Sequence, residues 1–324
     1  MCWIMLDTDL DDAYWLALNE RHGMIHASEV ADAEKQLGSL SALWNASSDS
    51  LRNVGFHDSA ISNFLKFRSN VRMDEIGSKL RTIRQKGIRI IRFTDPTYPK
   101  LLRFLPTDRN GAPLVLFHRG SLMDFERCVA IAGTRVLSYN GHIIARQLSH
   151  AIASAGYTVV SGLARGTDTE AHIGALGVRE GKTVAVLAWF DPLYPPDNEE
   201  LAKSIEQRGA IISERYERPK SFAAGTFVER NRITSGISRC VIAVESDEEG
   251  GTVHQVRLAV MQGKKVFAVT PKNGDTRAMR GFRMFMKMGA IPINSSDPVV
   301  EFLRAGERDE MLETYLNPQT KLRT

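Results

Sequence analysis

The sequence predicts an α/β protein whose main domain is a doubly wound, mainly parallel sheet, preceded by a small all-α domain. From about residue 127 onward, short runs of Val, Ile and Ala alternate with amphipathic runs of helical period. Strands that are apolar throughout are typical of a parallel sheet that helices cover on both faces. Residues from about 11 to 70 instead form short helical runs that glycines interrupt, which predicts a compact helical bundle.

Length and composition limit the protein class. The chain has 324 residues, 43% of them hydrophobic and 25% charged, which suits one large domain and a smaller one. No apolar run approaches the roughly 20 residues that cross a bilayer, and Met1–Leu6 is too short for a signal peptide, so we expect no membrane partner. The formal net charge of +4 permits nucleic acid as a partner without requiring it.

The cysteines and histidines do not predict a metal site or a cofactor. Cys128 and Cys240 lie in apolar, strand-like runs, which favours free thiols in a reducing cytosol. The eight histidines show no metal-ligand spacing with the three cysteines. We therefore expect a cytoplasmic protein with no metal and no cofactor.

Short apolar runs between polar breaks predict the N-terminal helices, and Trp15, Leu18, Leu37, Leu43 and Trp44 are the expected core of their bundle. The predicted helices are Ala13–Glu20, Ser28–Leu37, Leu40–Ala46, Ser48–Arg52 and His57–Phe67. Another helix is predicted over Asp74–Lys86, with Gly87 ending it, and is followed by strands Ile88–Phe93 and Pro113–His118.

Strands and helices then alternate to the end of the α/β domain. The core strands are predicted at Arg127–Ala132, Tyr157–Ser161, Lys182–Ala188, Ala210–Ser213, Cys240–Glu245, Lys265–Thr270 and Ala290–Ile293. The helices are predicted at Asn140–Ala155, Thr167–Arg179, Asn198–Gln207, Phe227–Gly236, Val253–Met261 and Gly281–Met288. We therefore expect a helical domain over residues 1–72, an α/β domain over 73–304 and a short polar tail over 305–324.

Four loops of the α/β domain carry glycines, arginines or both. They contain Gly133–Arg135, Ser161–Asp168, Thr226–Arg232 and Gly250–Thr252. The carboxyl ends of parallel strands meet at one edge of a sheet, so we expect these loops to surround one site there. Each loop alone is compatible with an α/β domain that binds nothing there, because glycine-rich loops occur in every doubly wound protein.

The starts of the helices that follow these loops favour an anion. Three pairs have the spacing of a capping box, Thr167 with Glu170, Thr226 with Glu229 and Thr252 with Gln255. A helix N-terminus presents free N–H groups and a positive dipole end to an anion. Arg230 near such an end is disfavoured by roughly 0.3–1 kcal/mol unless an anion is bound. The four loops therefore predict an anion-binding site.

Catalytic and nucleotide-binding motifs fit less well. The stretch from Gly177 to Thr183 resembles a Walker A loop but has three residues between its glycines and precedes a strand. No GxGxxG follows a strand. Asp168 and His172 share a helix face, where a structural pair that orders the loop is favoured over an acid–base pair. No serine or cysteine nucleophile with a nearby base can be named.

Four runs of residues, in this order and spacing, resemble the DprA/Smf family of DNA-processing proteins, and the likeness extends over residues 10 to 304. They are Val129–Arg135, Gly156–Asp168 with Ala171 and His172, Tyr194–Pro196, and Arg230–Ile233. The resemblance implies an extended Rossmann-like fold, an N-terminal domain of the sterile-alpha-motif type, single-stranded DNA binding and homodimerisation. It also implies the loading of RecA recombinase onto incoming single strands during natural transformation, and no catalysis.

The loops and the resemblance together give the residues expected to contact DNA. We expect Arg135, Arg165, Arg230 and Arg232 to hold phosphates and Phe227 to stack with bases. The full expected set is Gly133, Thr134, Arg135, Ser161, Gly162, Arg165, Gly166, Thr167, Phe227, Arg230, Asn231, Arg232, Gly250, Gly251 and Thr252.

The sequence also departs from the family pattern. Val228 and Glu229 stand where the family usually has a proline and a basic or polar residue, and Asp247–Glu249 precede the glycine pair. Arg283, Phe285 and Met286 replace an asparagine and an aliphatic pair, and the winged-helix-like domain of many members has no counterpart. Acidic residues beside the pocket would weaken DNA binding, which leaves open a divergent paralogue in phage defence or nucleotide sensing.

Two other functions stay open. Gly250–Thr252 also resembles the phosphate loop of the cytokinin-activating phosphoribohydrolases, although Val253, His254 and Gln255 follow where that family has a catalytic glutamate. A nucleotide-binding or nucleotide-hydrolysing role is therefore the main alternative. The second alternative is a scaffold protein that binds RecA through the helical bundle. The Met- and Phe-rich run Phe282–Met288 is expected to be partly core and partly a dimer surface.

Overall fold

The computed structural model describes residues 7–20, 25–106, 111–122, 124–220, 225–272 and 276–306. The chain divides into two compact units, Met1–Tyr98 with Pro106–His118, and Pro99–Leu105 with Arg119–Thr324. The domain bounds expected from the sequence, 1–72 and 73–304, stay a prediction. None of the described helices is long and apolar enough to span a membrane.

The first unit is mainly helical, and its predicted helices are confirmed. Trp44 is at the centre of its core, stacked on Tyr14 at 5.1 Å between ring centroids and edge-on to Phe64 at 6.0 Å. The side chains of Ser39 and Ser47 accept N–H groups and begin two of the helices. The elements are α1 (Asp7–Asn19), α2 (Ala27–Leu37), α3 (Leu40–Trp44), α4 (Ser48–Asn53), α5 (Asp58–Asn70), α6 (Met73–Gln85) and an antiparallel pair, β1 (Arg89–Arg92) and β2 (Val115–Gly120).

The second unit contains seven parallel strands, as the continuous apolar runs predicted. The strands are β3 (Cys128–Ala132), β4 (Thr158–Ser161), β5 (Thr183–Leu187), β6 (Ala210–Ser213), β7 (Cys240–Ala243), β8 (Lys265–Val269) and β9 (Ile291–Ile293). The helices are α7 (Tyr139–Ser154), α8 (Thr167–Leu176), α9 (Glu199–Arg208), α10 (Gly225–Gly236), α11 (Gly251–Met261), α12 (Thr276–Lys287) and α13 (Asp297–Gly306). The α/β class is confirmed.

Helices cover both faces of this sheet. Along β3, Val129 and Ile131 belong to a core cluster that includes residues of α7 and α8. Ala130, between them, belongs to a second cluster with residues of α11 and α12. Successive side chains of a strand point to opposite faces, so alternate residues of an entirely apolar strand fill two separate cores.

The strand order places a crevice at the middle of the sheet. The parallel strands run in the order β6-β5-β4-β3-β7-β8-β9. From β3 the chain therefore builds outward to β6, and then crosses back through α10 to pair β7 with the other side of β3. Ligands of such sheets bind beyond the carboxyl ends of the strands at this reversal.

Helix α13 was missing from the sequence prediction. Val299 and Leu303, four residues apart, are buried in it, and Phe302 packs against Phe267 with ring centroids 5.6 Å apart. Asp297 and Pro298 at its start are typical of a helix N-terminus and were the available signal. The rest of the predicted tail, 307–324, lies outside the described residues.

The segment Pro99–Leu105 belongs to the second unit because its leucines pack on α10. Leu102 is fully buried, and a Cβ built on Gly236 of α10 would be 2.8 Å from its Cδ1 atom. A larger residue at position 236 would displace the leucine side chains, so α10 packs closely on this segment. The placement of α10 therefore depends on residues upstream of the parallel sheet.

We expect Leu102→Ala to lower the free energy of unfolding by about 2–5 kcal/mol, because the cavity forms against a helix that cannot move in. Urea denaturation measures the change. The control is Phe104→Ala, two residues on and 40% exposed, which should cost about 1 kcal/mol or less. Equal effects of the two substitutions would contradict this packing.

Candidate functional site

A cleft of about 660 Å³ lies at the chain reversal. All four loops that the sequence singled out contribute to its wall. Of the expected residues, Gly133, Thr134, Arg135, Ser161, Gly162, Phe227, Arg230, Asn231, Gly250, Gly251 and Thr252 line it. Arg165 lines a smaller recess beside it, whereas Gly166, Thr167 and Arg232 line neither.

The loop between β4 and α8 is ordered by its own carboxylate. Asp168 Oδ2 accepts the backbone N–H groups of Gly162 at 3.1 Å and Ala164 at 3.2 Å. Burial raises the pKa of Asp168 above its ordinary value, and the Arg230 guanidinium acts in the opposite direction. Two of the backbone donors that the sequence offered to a ligand in this loop are therefore occupied from within the protein.

The same loop packs tightly against the β3–α7 loop. Thr167 donates both its N–H, at 3.1 Å, and its hydroxyl, at 3.0 Å, to the carbonyl of Thr134. A Cβ on Gly133 would be 2.2 Å from the Thr167 hydroxyl oxygen, and one on Gly166 would be 2.6 Å from the Thr134 carbonyl. The predicted capping box of Thr167 and Glu170 is wrong, since Gly166 is the N-cap of α8 and the Thr167 hydroxyl bonds to the neighbouring loop.

A segment after β5 braces this loop from outside. Leu163 is buried in the left-handed region at φ 60°, and its carbonyl accepts a hydrogen bond from Asn198 Nδ2 at 2.8 Å. Arg165 Nε donates to Asp197 at 2.7 Å, in an exposed ion pair. Arg165 is therefore at the rim of the cleft with an internal carboxylate as its partner.

Arg230 projects from the second turn of α10 into the wall of the cleft. Its guanidinium donates to the carbonyl of Val186, and a Cβ on Gly162 would be 2.0 Å from it. Glycine at 162 is therefore what makes room for the arginine. Burial lowers the pKa of Arg230, while Asp168 acts in the opposite direction. Its buried Nε–H has no hydrogen-bond partner among the described residues.

Arg232, two residues further along α10, is held away from the cleft. It is 4% exposed and donates from both terminal nitrogens to the two oxygens of Glu214. A buried bidentate pair of this kind fixes the helix to the chain after β6. The structure therefore brings Arg230 to the cleft, as expected, but gives Arg232 a structural contact.

The other two predicted capping boxes are also wrong. Thr226 lies within α10, and Glu229 pairs with Arg215 at 2.9 Å. Gly250 precedes α11, and Gln255 Nε2 donates to the carbonyl of Asn231 at 3.1 Å. In both cases the residue three positions on binds a neighbouring element rather than its own helix start.

The N-terminus of α11 is the helix start that stays open to the cleft. Val253 N–H bonds back to the Gly250 carbonyl, whereas the N–H groups of Gly251 and Thr252 have no acceptor among the described residues. Thr234 lines the same cleft, is 3% exposed, and its hydroxyl has no described partner. Sequence reasoning missed Thr234, whose helix position resembles that of any core threonine.

Two of the acidic residues that depart from the family pattern, Asp247 and Glu248, lie close to a cation. Asp247 lines the cleft and accepts two hydrogen bonds from Arg280, at 3.1 and 2.9 Å. These bonds lower the pKa of Asp247. Glu248 lies 3.9 Å from the same guanidinium. Arg280 was not predicted, because only the fold brings α12 beside the β7–α11 loop.

Three aromatic rings form a cluster beside the cleft. Trp189, Tyr194 and Phe227 contact one another with ring centroids 5.3–5.8 Å apart, and Tyr194 is 47% exposed. The Arg135 guanidinium lies over the Phe227 ring at 5.2 Å from its centroid. Phe227 was expected here, whereas Trp189 carried no sequence signal beyond its size.

His172 is a structural residue. It is fully buried and pairs with the Thr183 hydroxyl at 2.7 Å, and that hydroxyl donates to the Val159 carbonyl. Since the single hydroxyl proton is used, the histidine Nδ1 is the donor and the ring is neutral. Burial lowers the pKa of His172 to about 3. No hydrogen bond joins His172 to Asp168. Asp168 orders its own loop, whereas His172 bonds to β5.

The stretch that resembled a Walker A loop is the end of α8 and the turn into β5. Arg208 of α9 donates to the carbonyls of Leu176 and Val178. In a phosphate-binding loop the backbone N–H groups face the ligand instead. Within the described ranges, no three His, Cys, Asp or Glu side chains are grouped as a metal site.

These features define a class: a parallel α/β protein with an arginine-containing, aromatic-rimmed cleft at its chain reversal. The sequence profile of DNA recombination-mediator protein A matches residues 89–304. The chain is 32% identical over 302 residues to protein Smf of Synechocystis, covering 91% of this chain and 73% of that protein. It is 32% identical over 227 residues to DNA processing protein DprA of Bacillus subtilis, covering 69% and 74%.

Solved structures agree with these matches. DprA from Streptococcus pneumoniae superposes with a TM-score of 0.71 at 24% identity, over 89% of this chain and 97% of that one. DNA processing protein A from Helicobacter pylori, whose structure describes a single-stranded DNA binding mode, superposes with a TM-score of 0.58 at 26% identity, over 68% and 96%. The chain belongs to the DprA/Smf family of DNA-processing proteins.

The buried histidine predicts a pH dependence of stability. Its folded-state pKa of about 3 is below the ordinary 6.5, so the native state binds fewer protons and its stability falls as the pH drops through this window. In His172→Gln that loss should be absent. Urea denaturation from about pH 7 to about pH 4 should give a shallower pH dependence for the variant. Parallel curves would contradict the assignment.

Proposed function

We propose that this protein binds single-stranded DNA in the cleft at the chain reversal. The observation that carries the proposal is the convergence of two kinds of group on one cavity. The open N–H groups of Gly251 and Thr252 and the guanidinium of Arg135 suit phosphates. Phe227 and the half-exposed Tyr194 suit unpaired bases.

Single strands are favoured over duplex because the aromatic rings need free base faces. Stacking on aromatic side chains is tolerant of sequence, since every base has a π-face, and phosphate contacts carry no base information. We therefore expect binding that depends on salt and little on sequence. The single-stranded DNA binding mode described for the Helicobacter pylori relative supports this choice.

We further propose that the cleft binds DNA without transforming it. Among the described residues, the two carboxylates that line the cleft are engaged, Asp168 with backbone N–H groups and Asp247 with Arg280. The buried His172 is bonded to Thr183. The phosphoribohydrolase alternative needs a glutamate after the glycine pair. At those positions Val253 is buried and Gln255 is bonded to Asn231, which supports a binding role instead.

The wider role is proposed on the family alone. DNA processing in this family suggests a cytoplasmic protein that protects incoming single strands and loads RecA recombinase during natural transformation. A phage-defence setting would use the same cleft chemistry. A nuclease-protection assay with the purified protein measures binding of the strand. A RecA filament assay then measures loading separately.

Homodimerisation is a further part of the proposal. Phe285 of α12 is buried, whereas Phe282, Met284, Met286 and Met288 are partly buried. Such a helix keeps apolar surface available to a second copy. Light scattering at increasing protein concentration should give twice the mass of the chain. The mass of one chain at every concentration would reject the dimer.

The cleft assignment predicts the behaviour of Arg135→Ala, because Arg135 contacts Phe227 and has no carboxylate partner among the described residues. Affinity for oligo-dT should fall about tenfold, and the log–log salt slope should become shallower by roughly 0.7, the value for one phosphate. Fluorescence anisotropy at several salt concentrations measures both. The free energy of unfolding should not change.

The matched control is Arg179→Ala, whose side chain is 96% exposed after α8. It removes the same charge from a surface away from the cleft and should change neither the affinity nor the salt slope. Equal affinities and equal salt slopes for the two variants would refute the proposal that the cleft binds DNA.

A further inference from the structure

A second cavity adjoins the cleft. It has a volume of about 410 Å³ and lies between the start of α7 and the carboxyl ends of β7 and β8. Arg277, in the first turn of α12, lines both cavities. An extended ligand that leaves the cleft past Arg277 therefore enters the second cavity.

Ion pairs distinguish the side of the cleft next to the second cavity from the rest of its surroundings. Arg165 is neutralised by Asp197, Arg215 by Glu229 and Arg280 by Asp247. Towards the second cavity the cations are Arg277 and Lys272, and neither has a carboxylate within ion-pair distance among the described residues. Arg277 donates instead to the carbonyl of Val136. A polyanion that leaves the cleft therefore meets two cations that have no ion-pair partner among the described residues.

One carboxylate does line the second cavity, and its hydrogen-bonding capacity is used within the protein. Glu245 is 8% exposed and accepts both the N–H of Ser138, at 3.0 Å, and its hydroxyl, at 2.6 Å. The Ser138 oxygen in turn accepts the N–H of Gly141 and caps α7. Glu245 thus fixes the wall of the cavity, and its single negative charge is outnumbered there by the two positive charges of Lys272 and Arg277.

An exposed aromatic ring lies at the rim of the second cavity. Tyr139 is 81% exposed, and Ser138 and Asn140 on either side of it line the second cavity. Val136, 67% exposed, is on the same rim. A side chain this exposed contributes little to the core, and a tyrosine ring offers a stacking surface to an unpaired base.

We propose that the second cavity is a further contact site for single-stranded nucleic acid, in which Arg277 and Lys272 hold backbone phosphates and Tyr139 stacks on a base. The strand leaves the cleft past Arg277 and continues over α7. This inference rests on the proposed function of the cleft. It adds a length requirement, because a strand short enough to fill the cleft does not reach Tyr139 or Lys272.

Two lengths of oligo-dT test the inference, about 4 and about 16 nucleotides, the limits of site size for single-strand-binding domains. In anisotropy titrations, Tyr139→Ala and Lys272→Gln should each weaken binding of the longer strand about threefold to tenfold. Binding of the shorter strand should stay within about twofold. Tyr139→Phe, which keeps the ring, should behave as the wild type does.

The controls separate this site from the cleft. Lys265→Gln removes the same charge from the opposite end of β8, where Lys265 is exposed, and should leave both lengths unaffected. Arg135→Ala should weaken both lengths. If Arg135→Ala has this effect while Tyr139→Ala and Lys272→Gln change neither length, or both alike, the second site is refuted and the cleft stands. If the wild-type protein binds neither length, the proposed function itself fails.

Discussion

The interaction on which the site depends is the buried carboxylate of Asp168 between two backbone N–H groups and opposite Arg230. It closes the β4–α8 loop around a residue in the left-handed region, Leu163, and it offsets the charge of an arginine that Gly162 admits to the wall. Without the carboxylate, the part-buried N–H groups of Gly162 and Ala164 lose their acceptor, at a cost of about 1–3 kcal/mol each. The loop, the arginine and the glycine are therefore one unit.

The same principle extends to the rim, where internal carboxylates hold the arginines that a polyanion would use. Exposed ion pairs of this kind are worth about 1 kcal/mol or less, so exchange of the carboxylate of Asp197 or Asp247 for a phosphate would cost little. Buried Arg232 cannot exchange in this way, because Glu214 binds both of its terminal nitrogens. Burial therefore decides which arginines are structural and which are available to a ligand.

The fold was predictable because apolar periodicity is a local signal, and every strand of the parallel sheet followed from it. The cleft was predictable as far as chain topology brings loops to one edge. The partners of side chains were not: capping-box spacing at Thr167, Thr226 and Thr252 failed because neighbouring elements supply better acceptors or donors. Arg280, Asp197 and Thr234 became visible only through contacts between residues far apart in sequence.

Hydrogen–deuterium exchange with and without saturating oligo-dT tests the central claim, that a strand binds at the open start of α11 while Asp168 occupies the donors of the β4–α8 loop. The account predicts new protection of the N–H groups of Gly251 and Thr252. It predicts little change at Gly162 and Ala164, which are already bonded to Asp168. Protection that appears at Gly162 and Ala164 but not at Gly251 and Thr252 would contradict it.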